Sequence, residues 1–250
     1  MPQYICLQEA ESTNTRMKAM ASQLPSGSVI YTPCQTAGRG QKGNTWESEP
    51  CKNLAFSFLL KNPNLAANEQ FYISEACSLA VLDTLSAFAD GFAIKWPNDI
   101  YHGDNKICGI LIENALFDKR IGYSIIGIGI NINQERFVSD APNPISLKNI
   151  TGRDYDLQEL LTNVCQRIEN LCDFSQATPT SLAATHSRFM AHLYRADGKM
   201  HPWELPDGTR FDATISGIAP DGILTLTKAS GASRDFAFKE VKHVIKNITI

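Results

Sequence analysis

The sequence predicts an α+β protein in two unequal parts, residues 1–195 and 196–250. Three observations carry the prediction. Short aromatic and β-branched runs alternate with helix-like runs over the first part. A glycine-rich loop at 38–46 is followed by a strand-like run and not by a helix. Beyond about 196 only short β-like runs remain, separated by Asp207-Gly208, Asp221-Gly222 and Ser230-Gly231.

Tyr4-Ile5-Cys6-Leu7 reads as a short strand. Residues 14–23 read as a helix with Met17, Met20 and Ala21 on one face and Ser12 or Thr13 as N-cap. Strands are expected at 28–33 and 53–60 on either side of the glycine loop. Residues 69–89 carry the longest helical pattern, with Gly91 as its stop. Short strands follow at 92–95 and 100–101, with His102-Gly103-Asp104-Asn105 turning into 106–113. Residues 121–130 form another apolar strand, 138–149 a Pro/Asn/Ser-rich loop, and 157–173 and 180–193 two helices. The runs 209–218, 222–228, 234–238 and 241–248 make up the small all-β part.

Composition narrows the class. A chain of 250 residues with 43% hydrophobic and 20% charged residues suits a globular protein with a sizeable core. A net charge of −3 argues against a general nucleic-acid binder. The seven cysteines are odd in number and never spaced C-x-x-C, and no signal-like N-terminus is present, so reduced thiols in a cytoplasmic protein are expected. No apolar run reaches the length of a membrane span. The five histidines are scattered without metal-ligand spacing.

The loop Gly38-Arg39-Gly40-Gln41-Lys42-Gly43-Asn44-Thr45-Trp46 contains G-x-G-x-x-G. A dinucleotide fingerprint must open a helix, and here Asn53 through Leu60 reads as a strand. A loop between strands binds an anion through backbone N–H groups and its own cations, Arg39 and Lys42. Three further polar islands interrupt apolar strands: Ser12-Thr13-Asn14, Lys95 through Asp99 with Lys106, and Gly127 through Asn131. Taken singly, these read as a helix cap, a turn, a solvated lysine and a bulge. Together they offer cations and neutral hydrogen-bonders without a Ser/His/Asp or Cys/His nucleophile set. That inventory suits placing two substrates and stabilising negative charge, as nucleotidyl transfer requires.

In this order the islands resemble the biotin–protein ligases. The motifs are Ser12-Thr13-Asn14, Gln35-Thr36-Ala37-Gly38-Arg39-Gly40, Gly43-Asn44-Thr45-Trp46, Lys95-Trp96-Pro97-Asn98-Asp99, Lys106-Ile107-Cys108-Gly109-Ile110-Leu111-Ile112-Glu113 and Gly127-Ile128-Gly129-Ile130-Asn131, spanning about residues 4–135. The resemblance implies a catalytic domain like that of class II aminoacyl-tRNA synthetases, with a mixed sheet flanked by helices, closed by a small SH3-like β-barrel. It implies activation of biotin by ATP to biotinyl-5′-AMP, and transfer to one lysine of a biotin carboxyl carrier domain of a biotin-dependent carboxylase. Arg39 and Lys106 are the expected catalytic cations. Ser12, Thr13, Asn14, Gln35, Gly38, Arg39, Gly40, Gln41, Lys106, Gly109, Gly127 and Gly129 are expected at biotin. Arg39, Gln41, Lys42, Trp46, Asn98, Lys106 and Asn131 are expected at the adenylate. Mg²⁺ is expected to arrive with ATP, held largely by phosphate oxygens. Members of the family are monomers or homodimers.

Two departures stand out. Gln41 occupies a place where many members carry Arg, so Lys42 is expected to take over the phosphate contact. The first motif begins about ten residues from Met1, which leaves no room for a DNA-binding helix-turn-helix; no nucleic-acid or membrane partner is expected. The alternatives are a lipoate–protein ligase, a biotin-binding sensor without transfer activity and, more distantly, a Rossmann oxidoreductase.

Overall fold

Seven strands pair into one mixed sheet in this computed structural model, which describes residues 1–40, 44–138 and 143–245. β1 (Tyr4–Cys6) runs parallel to β2 (Val29–Tyr31), with helix α1 (Thr13–Met20) crossing between them. β3 (Leu54–Lys61) follows the glycine loop and pairs antiparallel with β2. The strand that argues against a dinucleotide fingerprint is therefore present. Helix α2 (Phe71–Leu85) leads to β4 (Phe92–Lys95), β5 (Asp99–His102), β6 (Asn105–Phe117) and β7 (Arg120–Ile130). The strand order is β1-β2-β3-β7-β6-β5-β4, and every pair after the first is antiparallel.

The sheet is covered on both faces, which explains why β3 reads LAFSFLLK without alternation. On one face α1 packs Met17 and Ala21 against Ile30, Leu59 and Ile125. On the other lies α2, whose residues are all buried except Tyr72 and Asp83. A helix apolar on every side must be an interior helix. The outer layer over α2 is built by α4 (Leu157–Leu171) and α5 (Pro179–Ala191), after the short α3 (Leu147–Thr151). A second, five-stranded antiparallel sheet has the order β11-β10-β9-β8-β12. Its strands are β8 (His201–Glu204), β9 (Arg210–Ile218), β10 (Leu224–Thr227), β11 (Ser233–Phe236) and β12 (Lys242–His243). One apolar cluster runs from Phe56 and Leu79 through Trp96 to Trp203 and Leu226, so the two sheets share a core. Trp96 Nε1 donates to the Gly222 carbonyl at 3.0 Å across that junction.

Several elements differ from expectation. α2 ends at Leu85 and not near Gly91, because the chain turns at once through a Phe88 N–H bond to the Leu85 carbonyl. Gly91, at φ 88°, serves that turn into β4. α3 lies in the stretch expected to be a loop. It is one turn long, too short to show a period, and is capped by the Ser146 hydroxyl accepting from Asn149 N–H and by left-handed Gly152. β8 was hidden because Pro202 interrupts the β pattern. Ser12 occupies the N-cap position of α1, yet its side chain makes no cap hydrogen bond.

Candidate functional site

The site begins as two rows made mostly of small residues across the centre of the large sheet. Register sets Ala55, Gly129 and Gly109 side by side, and next to them Ser57, Gly127 and Leu111. Two other groups take the space that side chains would fill here. A Cβ on Gly129 would lie 2.4 Å from Cε2 of Trp46, and one on Gly127 would lie 2.2 Å from Oδ1 of Asn14. The sheet is thus bare where Trp46 and Asn14 lie down on it.

The start of α1 brings Ser12, Thr13 and Asn14 to these rows, all three at most 5% exposed. Thr13 N–H donates to Gln35 Oε1 at 3.0 Å. Gln35 is placed there because the segment after β2 runs parallel to the segment after β1, with an Ala10–Gln35 bridge. Ser57, fully buried on β3, stands 2.6 Å from Asn14 Oδ1 and 2.8 Å from the Thr13 hydroxyl. The amide oxygen can only accept, so Ser57 donates its single proton there and accepts from Thr13. Asn14 Nδ2 donates to the Leu111 carbonyl at 3.3 Å and to Glu113 Oε2 at 2.9 Å.

The glycine loop folds back on itself through an Arg39–Thr45 bridge and a Trp46 N–H bond to the Gly38 carbonyl. A Cβ on Gly38 would lie 2.4 Å from the Trp46 carbonyl oxygen, so this close return needs glycine. Arg39 Nη2 lies 3.4 Å from Glu113 Oε2. Lys106 Nζ lies 2.7 Å from Asp99 Oδ1 and 5.8 Å from the centre of the Trp46 ring. Arg39 and Lys106, the two expected catalytic cations, therefore each rest on a carboxylate.

On the same side, Asn98 spends its Nδ2 on the Ile110 carbonyl, which pins the 95–99 turn to β6. Asn131 donates Nδ2 to the Ile145 carbonyl at 3.1 Å. Asn131 Oδ1 and Trp46 Nε1 are both buried with no hydrogen-bond partner among the described residues. An orphan acceptor and an orphan donor in one cavity are what a ligand with polar edges requires.

These groups surround a cavity of about 830 Å³. Ser12, Thr13, Asn14, Gln35, Arg39, Gly40, Trp46, Asn98, Lys106, Gly109, Gly127, Gly129 and Asn131 all line it. Gly38, expected at biotin, is not among the lining residues; it packs closely against Trp46 and Gln35. Gln41, expected at biotin and the adenylate, and Lys42, expected at phosphate, lie outside the described residues, as does Gly43. Among the described residues no group of three His, Cys, Asp or Glu side chains could hold a metal ion. Cys108, inside the Lys106–Glu113 motif, is fully buried apolar filling.

The expected set lacked Ser57, Glu113, Asp99 and Lys95, and it lacked the wall contributed by the second sheet. Burial pushes the Lys95 ammonium down from the usual lysine range; Asp99 draws it back and Lys106 and Arg195 push further. Trp203 and His243 line the cavity from the second sheet, their rings 3.8 Å apart. His243 is 7% exposed, and neither ring nitrogen has a partner among the described residues. Burial, reinforced by the charges of Lys95, Arg195 and His201, depresses its pKa to about 2. It is a neutral ring in a cationic corner.

Residues 4–131 match the model of the biotin/lipoate A/B protein ligase family. The chain belongs to that family. Among curated members it is 30% identical over 162 residues to the biotin–[acetyl-CoA-carboxylase] ligase of Paracoccus denitrificans, covering 62% of this chain and 67% of that protein. It is 29% identical over 172 residues to the bifunctional ligase/repressor BirA of Bacillus spizizenii, covering 66% of this chain and 52% of that one. The chain thus spans about half the length of the Bacillus relative. Among solved structures, the biotin protein ligase from Aquifex aeolicus in complex with biotin and ATP superposes with a TM-score of 0.78 at 26% identity, over 98% of this chain and 100% of that one. In this family member no helix among the described residues is long and apolar enough to cross a membrane.

Proposed function

We propose that the chain is a biotin–[acetyl-CoA-carboxylase] ligase. The carboxylate of biotin attacks the α-phosphorus of ATP, forming biotinyl-5′-AMP and releasing pyrophosphate. The ε-amine of one lysine on a biotin carboxyl carrier domain then attacks the activated carbonyl, and AMP leaves. The observation that carries the proposal is the convergence of neutral hydrogen-bonders (Ser12, Thr13, Asn14, Gln35) and two cations (Arg39, Lys106) on one cavity. Bringing a carboxylate to a triphosphate costs Coulomb energy unless positive charge lies between them. Arg39 and Lys106 supply it by exchanging Glu113 and Asp99 for substrate oxygens. A charge-assisted hydrogen bond contributes ~1.5–3 kcal/mol, so losing one cation slows the first step ~10- to 10²-fold. Asn131 Oδ1 and Trp46 Nε1 remain for the nucleotide. Mg²⁺ enters on the phosphates of ATP, whose oxygens hold it.

The Gly38–Trp46 and Lys95–Asp99 motifs favour biotin over lipoate, and so does the likeness to curated biotin–[acetyl-CoA-carboxylase] ligases. ATP–pyrophosphate exchange with each acid in turn is the test. Exchange that depends on lipoate and not on biotin would reverse the assignment.

The proposal extends to the rest of the chain. Residues 196–250 form an SH3-like module closing the domain of residues 1–195; a five-stranded antiparallel sheet with tight glycine turns supports this. The enzyme works in the cytoplasm, as a monomer or homodimer, without a nucleic-acid partner; a net charge of −3 supports the last point. Sequence-specific DNA binding at physiological salt would refute it.

A further inference from the structure

We propose that Glu113 is a positioning residue for acid activation: a shared acceptor that fixes the Asn14 amide and holds Arg39 at the cavity until a substrate anion replaces it. This rests on the ligase reading above.

One atom serves both partners. Glu113 Oε2 accepts from Asn14 Nδ2 at 2.9 Å and lies 3.4 Å from Arg39 Nη2. Period-two alternation along β6 puts Gly109, Leu111 and Glu113 on the same face, so the carboxylate stands beside the bare rows of the sheet. The Asn14 amide has a single workable orientation. Nδ2 meets the Leu111 carbonyl and Glu113, while Oδ1 takes the proton of Ser57. Turning it over would aim an oxygen at a carbonyl and a carboxylate. Without Glu113 the Nδ2 side of that preference rests on the longer, 3.3 Å bond to the Leu111 carbonyl, with the rotatable Ser57 hydroxyl at Oδ1 as the other support.

The Arg39 contact has a different character. Its side chain is 47% exposed and that of Glu113 31%. An ion pair so open to water is weak and yields to a phosphate or carboxylate with better geometry. Glu113 therefore aims Arg39 without capturing it, and it competes with the anion for the guanidinium. The two duties are separable: accepting from Asn14 needs an oxygen, whereas competing for Arg39 needs a charge.

Glu113→Gln keeps the oxygen and drops the charge; Glu113→Ala drops both. Biotin titration without ATP, thermal melts and biotin-dependent ATP–pyrophosphate exchange on the full chain separate them. Glu113→Ala is expected to weaken biotin binding at least tenfold, and Glu113→Gln to restore it to within about threefold of the parent. Glu113→Gln is expected to lower the KM for ATP about threefold, and that shift to vanish on an Arg39→Ala background. Parent-like biotin binding by Glu113→Ala overturns the proposal. So does an ATP effect of Glu113→Gln that persists without Arg39. Should Glu113→Ala melt below the assay temperature, Glu113→Gln with and without Arg39→Ala carries the test alone. A parent chain with no biotin-dependent exchange would instead strike the ligase reading, and the proposal with it.

Discussion

Acid should loosen the wall that the second sheet contributes to the cavity, and His243 sets the size of the effect. Its folded pKa is about 2 against an ordinary 6.5, because burial and the nearby positive charges of Lys95, Arg195 and His201 oppose a proton. The unfolded chain accepts that proton freely. Below pH 6.5 the unfolded state therefore binds more protons, and stability falls as pH falls. The contribution is complete above 6.5 and is lost progressively toward 2. At pH 5.5, one unit below the free value, the loss is about 1.4 kcal/mol; at pH 7.5 it is about 0.1 kcal/mol. The parent should thus lose about 1.3 kcal/mol relative to His243→Leu between these two conditions, or about 3–5 °C in Tm for a chain of this size. Denaturant melts of both proteins at pH 7.5 and 5.5 read the difference directly. Groups common to both, such as the buried Glu75 paired with His186 at 2.7 Å, cancel in the comparison. A stability gap that stays constant with pH would refute the reasoning.

Other perturbations have equally definite outcomes. Ser57→Ala leaves Asn14 Oδ1 buried without its 2.6 Å donor. It should cost about 1–3 kcal/mol in a melt and weaken biotin about tenfold by titration; parent-like values in both would dismiss the buried row. Gly129→Ala puts a methyl 2.4 Å from Cε2 of Trp46. The half-buried indole must lift, so tryptophan emission should shift and adenylate formation should fall at least tenfold. Unchanged emission and rate would show that Trp46 does not lie on the sheet.

What the sequence disclosed follows from chain distance. Ser12-Thr13-Asn14 stand at the start of α1, Gln35 in a loop, Lys106 near a strand end and the glycines inside β6 and β7; each breaks an apolar run and so draws notice. Ser57 breaks a run too, but inside LAFSFLLK it resembles strand filling. Its meaning comes from Asn14, 43 residues away. Glu113 reads as the end of a motif until the fold sets it beside both Asn14 and Arg39. Trp203 and His243 were out of reach because β8 is short and holds a proline, and because their place at the cavity depends on how the second sheet docks. The glycine loop gave its surroundings correctly, a strand on either side. Its return through Arg39 and Thr45, with the tryptophan laid on Gly129, needs the three-dimensional arrangement. Ser12 illustrates the reverse error: its type and position predict a helix cap, yet its hydroxyl makes no such bond.

The central claim is that Arg39 and Lys106 activate biotin for transfer to a protein lysine. Labelling of a purified biotin carboxyl carrier domain, with the parent chain beside Lys106→Ala and Arg39→Ala, tests it most directly. The account predicts labelling of one lysine that requires both biotin and ATP, slowed ~10- to 10²-fold by either substitution. A parent chain that binds biotin yet labels no carrier lysine would contradict it, as would variants that label at the parental rate.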